Sequence, residues 1–132
     1  MNRELIYKEF QRSEESLKSA QKLFEDGLFA DAVSRAYYAC LHCTKAALLV
    51  EGVNVSSHRA VLRLFGEHLV KKGKIQKEYG KVLREEQEDR EACDYDVFQT
   101  IESERAYQRV KDAEWFVERI STLFHKFSSR FY

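Results

Sequence analysis

Proline is absent from the 132 residues, and glycine occurs only five times. Proline breaks helix interiors and is common in turns. Its absence, with so little glycine, speaks against a turn-rich fold and suits long helices with few connections. Neither sign of charge prevails, because 22 Lys and Arg balance 22 Asp and Glu. That excludes a protein held to nucleic acid or membrane by net charge alone, and leaves room for a local basic groove. No apolar run approaches the ~18 residues of a membrane span. The start, MNRELIYKEF, is charged within its first four residues, unlike a secretory signal. Three cysteines are an odd number, without disulfide spacing, and point to a soluble, reducing, cytoplasmic setting.

What is present is helical periodicity. A chain of this length reads as one domain over 1–132, able to bury roughly two-thirds of its unfolded surface. From about Asn2 to Asp26, Ile6, Phe10, Ser13, Leu17, Ala20 and Phe24 recur at spacings of 4 and 3, which draws one stripe along one helical face. Ala106, Val110, Ala113, Val117, Ile120 and Phe124 do the same between about Thr100 and Lys126, with Thr100 as N-cap. The two matching seams predict helices packed side by side. Between them, about Phe29 to Glu51 carries small residues, Ala32, Ala36, Ala39 and Cys43, on one narrow face. Small residues let neighbours approach closely, so this is the expected central helix. A shorter helix is expected from an N-cap at Ser57 to a stop at Gly73, followed by one over about Ile75 to Asp94. Gly27, Gly52 and Gly73 each follow a helical pattern, where a left-handed residue is wanted. The expectation is an all-α, up-and-down bundle of about five helices.

Some polar residues do not fit a plain bundle. The stripe Ile75, Tyr79, Val82 continues at helical spacing into Glu86, Arg90 and Cys93, so a core-facing row turns charged halfway along. The central segment SRAYYACLHCTKAALL is apolar around most of its circumference, yet carries Arg35, Tyr38 and His42. Arg35 and His42 lie about 20° apart on the wheel and ~10 Å apart along the axis. A buried arginine needs a partner, and Glu86, Asp89, Glu91 and Asp94 are the acids expected to meet Arg35. Either this is a structural ion pair with a surface histidine, or a polar cleft runs between the second and fourth helices. Ser57 and His58 open the third helix, where free N–H groups could hold a phosphate; an N-cap serine beside a surface histidine is the plainer alternative. Cys40, His42 and Cys43 have no second ligand pair at zinc spacing, so no metal and no cofactor are expected. Tyr37, Phe65, Tyr79, Trp115 and Phe116 fall on helical stripes and read as core. The tail FHKFSSRFY either extends the last helix into a dimer contact or frays.

SRAYYACLHCTKAALLVEGV, SHRAVLRLFGEHLVKKGKI, REACDYD and a helix ending DAEWFVERI together resemble the HEPN superfamily, and within it the small prokaryotic UPF0332 proteins. The resemblance spans about Asp31 to Ile120 and implies a helical bundle that forms a homodimer. It implies a metal-independent ribonuclease in many members, whose signature is an arginine, four to six residues, then a histidine. It also implies, in some pairs, a toxin whose antitoxin partner is a small nucleotidyltransferase. The matching stretch here is REACDYD, with Arg90 at the arginine position and Tyr95 where the histidine belongs. A phenol with an ordinary pKa near ~10 is a poor base at neutral pH, whereas an imidazole can move a 2′-hydroxyl proton while a guanidinium neutralises phosphate. Arg63 and His68 also fit the loose spacing, but point about 140° apart on a helix.

The expected site is therefore a cleft lined by Arg35, Tyr38, Arg90, Asp94 and Tyr95, with Ser57 and His58 as further ligand-binding residues. Its ligand would be RNA or a nucleotide. If it cuts, Arg90 would stabilise the phosphate, with His42 or Tyr95 handling the proton. The rival reading is a non-catalytic dimeric interaction protein whose polar strip fixes dimer register.

Overall fold

The computed structural model describes residues 2–98 and 100–127. Among them are five α-helices and no strand: α1 Arg3–Glu25, α2 Phe29–Val50, α3 His58–Phe65, α4 Lys77–Tyr95 and α5 Ser103–Leu123. None is long and apolar enough to cross a membrane.

The helix α2 is central. It packs most extensively on α1, then on α5 and α4, and α1 also meets α5. The reason is its small-residue face, since Ala32, Ala36, Ala39 and Cys43 are all buried. From α1, Ile6, Phe10, Leu17 and Ala20 fill the facing space, and the Ser13 hydroxyl donates to the Ala39 carbonyl at 2.7 Å. Val110, Ala113, Phe116, Val117 and Ile120 close it from α5. Each expected stripe is thus buried along most of its length; Phe24 and Phe124 are only partly covered. A neutral buried hydrogen bond contributes about 1 kcal/mol. Ser13→Ala should therefore lower the unfolding free energy by roughly that amount, measured as a shift of the urea midpoint at constant m-value. The Ala39 carbonyl keeps its place in the helix ladder, so a loss several times larger would contradict this account.

Glycine closes the first two helices where a left-handed backbone is needed. Gly27 has φ of 76° and Gly52 of 81°. Leu28 N–H reaches back to the Leu23 carbonyl at 2.9 Å, and Val53 N–H to the Leu48 carbonyl at 2.8 Å. These bonds satisfy carbonyls that a plain helix end would leave open.

Several expected boundaries shift. The third helix does not run unbroken to Gly73. It widens at Gly66–Val70, where Lys71 N–H bonds the Gly66 carbonyl at 2.9 Å, one residue beyond the usual α-helical span. Ser57 occupies the cap position in an extended conformation, but its side chain makes no cap hydrogen bond. Ile75 is buried ahead of α4 and not within it, and Tyr95 belongs to the helix. Glu102, and not Thr100, occupies the cap position of α5, and its side chain makes no cap hydrogen bond. Trp115 is not core: it is 44% exposed and lies flat on Tyr79, ring centroids 3.9 Å apart. Beyond α5, Phe127 is buried beside Tyr7, whose hydroxyl donates to the Lys126 carbonyl at 2.8 Å. The rest of the tail, 128–132, lies outside the described residues.

Candidate functional site

Tyr37 and Tyr38 organise the polar seam. They are adjacent on α2, so the former turns into the core and the latter stays half-buried at its edge. Their rings meet edge-on at 5.2 Å. Arg90 comes in from α4, where the apolar stripe has turned charged, and is buried. Its guanidinium lies 4.9 Å from the Tyr37 ring centroid and 5.9 Å from that of Tyr38. Its Nη1 donates to Asp94 Oδ2 at 3.1 Å, one turn along α4. Cation–π contact is worth up to about 2 kcal/mol where water is excluded. Two rings and one carboxylate together explain how this arginine tolerates burial. Burial works against its charge, but the hydrogen bond to Asp94 and the two tyrosines outweigh it and hold its pKa above the ordinary value.

Arg35 does not meet the α4 acids. No carboxylate lies within ion-pair distance of it among the described residues, and its guanidinium sits 4.6 Å from the Tyr38 centroid. A long arginine stem can lie along a neighbouring ring and keep its head hydrated, so a half-buried arginine at the bundle edge does not require an acid. Of the four acids expected to meet it, Asp94 is engaged by Arg90. Arg35 and Arg90 are nevertheless joined through Tyr38, which both approach.

His42 turns the other way. Its Nδ1 is 3.5 Å from the Glu9 carboxylate on α1, and Lys45 Nζ is 3.7 Å from the same group. Burial raises the Glu9 pKa, but the hydrogen bond from His42 and the Lys45 charge overcome that and leave it below the ordinary carboxylate value. His42 remains linked to the seam through Tyr38, with ring centroids at 6.4 Å. It is thus placed beside the cluster and held by an acid that sequence reasoning missed. Glu9 neighbours the buried Phe10, and that position at the edge of a stripe is the one signal it carries.

The imidazole beside Arg90 is that of His58, at the first position of α3. Its Nδ1 is 3.5 Å from the Tyr37 hydroxyl, and its ring lies 6.0 Å from each tyrosine ring. Gln87 Nε2 donates to its backbone carbonyl at 3.4 Å, tying it to α4. Burial, then the Arg90 charge, then Lys45 and His42, push its pKa below the ordinary histidine value. Burial pushes the Tyr37 phenol up to about 12, so it stays protonated.

His58, Arg59, Arg84, Gln87, Arg90 and Tyr95 line an open groove of about 670 Å³ between α3 and α4. Glu88 and Glu91 are also on its wall; Glu88 pairs with Arg84 at 3.8 Å. Arg59 makes no ion pair among the described residues. Tyr95 stands on the rim, 82% exposed, with its hydroxyl open to solvent chemistry and its ring open to stacking. Ser57 is exposed just ahead of His58. Arg59, Arg84 and Gln87 could not be singled out from the sequence, because charged residues on exposed helical faces are ordinary. A second recess, of about 340 Å³, lies by Asp89, Cys93, Ile101 and Arg105. There Asp89 holds Arg105 by two hydrogen bonds of 2.7 and 3.0 Å, so its cation is already matched. Cys40 and Cys43 are buried while His42 faces Glu9, so these three do not converge.

Residues 7–123 match the family model described as HEPN domain. The chain belongs to the HEPN family. Among its relatives is a Methanocaldococcus jannaschii protein named "Putative toxin MJ0605", 39% identical over 89% of this chain and 87% of that one. A Thermotoga maritima protein named "UPF0332 protein" is 35% identical over 85% of each chain. A second Methanocaldococcus jannaschii relative, named "Putative toxin MJ0142", is 32% identical over 76% of this chain and 69% of its own. The HEPN match covers all of α2 to α5 and most of α1, and so contains every residue of the groove.

Proposed function

We propose that this HEPN protein is a toxin-like module that takes RNA or a nucleotide into the groove between α3 and α4. It works in the cytoplasm as a homodimer, beside a small nucleotidyltransferase as its partner. The names of two relatives support the toxin part. The ligand part is carried by one observation: Arg90 is fixed by Tyr37, Tyr38 and Asp94 at the wall of a groove that also presents Arg59, His58 and an exposed Tyr95. The arginines answer phosphate charge, and Tyr95 offers a face on which a base can stack. Arg35 and Tyr38 extend the same seam along α2, and the start of α3 at Ser57 and His58 adds free N–H groups.

Binding of a 2′-O-methyl RNA 12-mer, which cannot be cut, tests this reading. Arg90→Ala should weaken affinity by about tenfold or more, as loss of a charged hydrogen-bond donor does. Arg59→Ala should lower the slope of log affinity against log salt by about 0.7, the value for one phosphate contact on a single strand. Unchanged affinity in both variants would remove the groove from consideration. A wild-type protein that binds no RNA or nucleotide, and whose dimer equilibrium shifts in Arg90→Ala, would favour the interaction-protein reading. Co-purification with the product of the neighbouring reading frame tests the partner.

Cleavage of the bound strand is the second reading. It is favoured by the imidazole of His58, whose pKa burial and then Arg90 hold below the ordinary histidine value and which is set in the same groove as Arg90.

A further inference from the structure

We infer that His58 is the general base of a strand-cutting site in this groove and that Tyr37 is its positioning residue, so that an imidazole absent after Arg90 in the sequence is supplied from the start of α3. This rests on the second reading above, that the groove cuts what it binds.

The geometry carries the assignment. Tyr95, which stands after Arg90 in the chain, is a phenol on the rim and 82% exposed. His42 is committed to Glu9 on the far side of Tyr38. His58 lines the same groove as Arg90 and Tyr95. It is held from beneath by the Tyr37 hydroxyl at 3.5 Å, and Tyr37 is also the ring under the Arg90 guanidinium. One buried side chain thus sets both a base and a phosphate-neutralising cation. With Nδ1–H donated to the Tyr37 oxygen, Nε2 keeps its lone pair for the groove. A base is useful when its proton affinity lies near the working pH, and burial first, then the Arg90 charge on α4, hold that of His58 below the ordinary histidine value, with Lys45 and His42 on α2 acting in the same direction. Glu88 and Glu91 stand across the groove and are the groups that act in the opposite direction.

The reaction balances without a metal. Nε2 of His58 takes the 2′-hydroxyl proton of the bound ribose. The 2′-oxygen forms a bond to the adjacent phosphorus, and the bond from phosphorus to the 5′-oxygen of the next nucleotide breaks. Arg90 neutralises the charge that gathers on the phosphoryl oxygens. The departing oxygen takes a proton from water, and the resulting hydroxide recovers the proton held by His58. The products are a 2′,3′-cyclic phosphate end and a 5′-hydroxyl end.

The test is single-turnover cleavage of a single-stranded RNA in excess EDTA, with product ends resolved on a gel, beside binding of the 2′-O-methyl strand. The wild-type protein should cut and leave cyclic phosphate. His58→Ala and His58→Gln should each lose about 10²–10⁴-fold in rate at saturating RNA, the usual contribution of a positioned base, a loss far larger than any weakening of their binding to the 2′-O-methyl strand. The wild-type rate should rise with pH through a midpoint below the ordinary histidine value of ~6.5, and the residual rate of both His58 variants should lack that step. Tyr37→Phe keeps the ring under Arg90, so the concentration that gives half-maximal single-turnover rate should hold while the maximal rate falls several-fold. Cleavage by wild type that persists undiminished in both His58 variants would overturn the assignment and leave the cleavage reading standing. Binding by wild type with no cleavage would overturn the cleavage reading and this inference with it. Far-ultraviolet circular dichroism confirms folding; His58 is exposed at a helix start, so neither substitution opens the core.

Discussion

Arg109→Ala is expected to lower the unfolding free energy by about 3–5 kcal/mol, the range seen when one partner of a buried ion pair is removed. Arg109 enters from α5 with only 5% of its side chain exposed. Its Nη2 donates to Asp112 at 2.9 Å, and its Nε lies 3.6 Å from Asp89 on α4. Glu86 is buried beside it. Removing the guanidinium leaves Asp89 and Asp112 facing each other across the α4–α5 contact with less positive charge between them. Asp89 retains Arg105, whereas Asp112 keeps only the Gln108 Nε2 hydrogen bond at 2.7 Å and loses its ion pair. At about 4 °C per kcal/mol for a chain of this size, the midpoint of thermal unfolding should fall by more than ~10 °C. Arg105 provides the internal control. It holds Asp89 bidentately yet its own side chain is 62% exposed, so Arg105→Ala should cost less than about 1 kcal/mol. Equal and small losses for the two variants, read from chemical denaturation at constant m-value, would mean that water reaches Arg109 freely and that the pair is not a buried one.

The parts of this fold that could be read from residue order are those set by a single period. Ile6, Phe10, Ser13, Leu17 and Ala20 share a face because α-helical geometry admits no other reading of their spacing, and all five are buried. Glu86 and Arg90 continued an apolar row, and both are in fact buried. The small-residue face of α2 announced its central place for the same reason. What residue order hides is the choice of partner. Arg35 had four acids within plausible reach and took an aromatic ring instead, because the long flexible stem can satisfy its head group with a ring and water. The meeting of His58 with Arg90 depends on how the chain between α2 and α3 directs the latter against α4. No local pattern reports that, since the two residues belong to different helices and neither helix alone brings them together. Tyr37 was read as core, which it is, yet it also lies against both His58 and Arg90. A residue can fill the core with its ring and serve the groove with its hydroxyl, and periodicity sees only the first.

Glu86→Gln is expected to stabilise the protein, by an amount that grows with pH. Glu86 is fully buried on α4, and neither carboxylate oxygen has a hydrogen-bond partner among the described residues. The groups around it are Arg109 and Asp112 from α5, Asp89 and Glu85 from α4, and Cys40 from α2. Burial raises its pKa well above the ordinary carboxylate value; Arg109 opposes this, while Asp112, Asp89 and Glu85 add to it. The folded protein therefore keeps a proton that the unfolded chain releases once pH exceeds the ordinary glutamate value of ~4.3. Where the unfolded state binds fewer protons, stability falls as pH rises. The Glu86 contribution is thus whole below that value and declines upward from it until the folded pKa is passed. Glutamine is neutral throughout and nearly the same shape. The variant and wild type should unfold together near pH 4, and separate progressively between pH 5 and pH 8. The gain at the upper end should be on the order of 1–3 kcal/mol, comparable to the cost of leaving a buried polar group unpaired. Glu86→Ala distinguishes charge from volume. It removes the same carboxyl but leaves a cavity, so it should lose stability at pH 4, where the glutamine variant does not. A difference between glutamine and wild type that stays constant from pH 4 to pH 8 would show that Glu86 titrates alike folded and unfolded, and that the centre of the α4–α5 contact is wet.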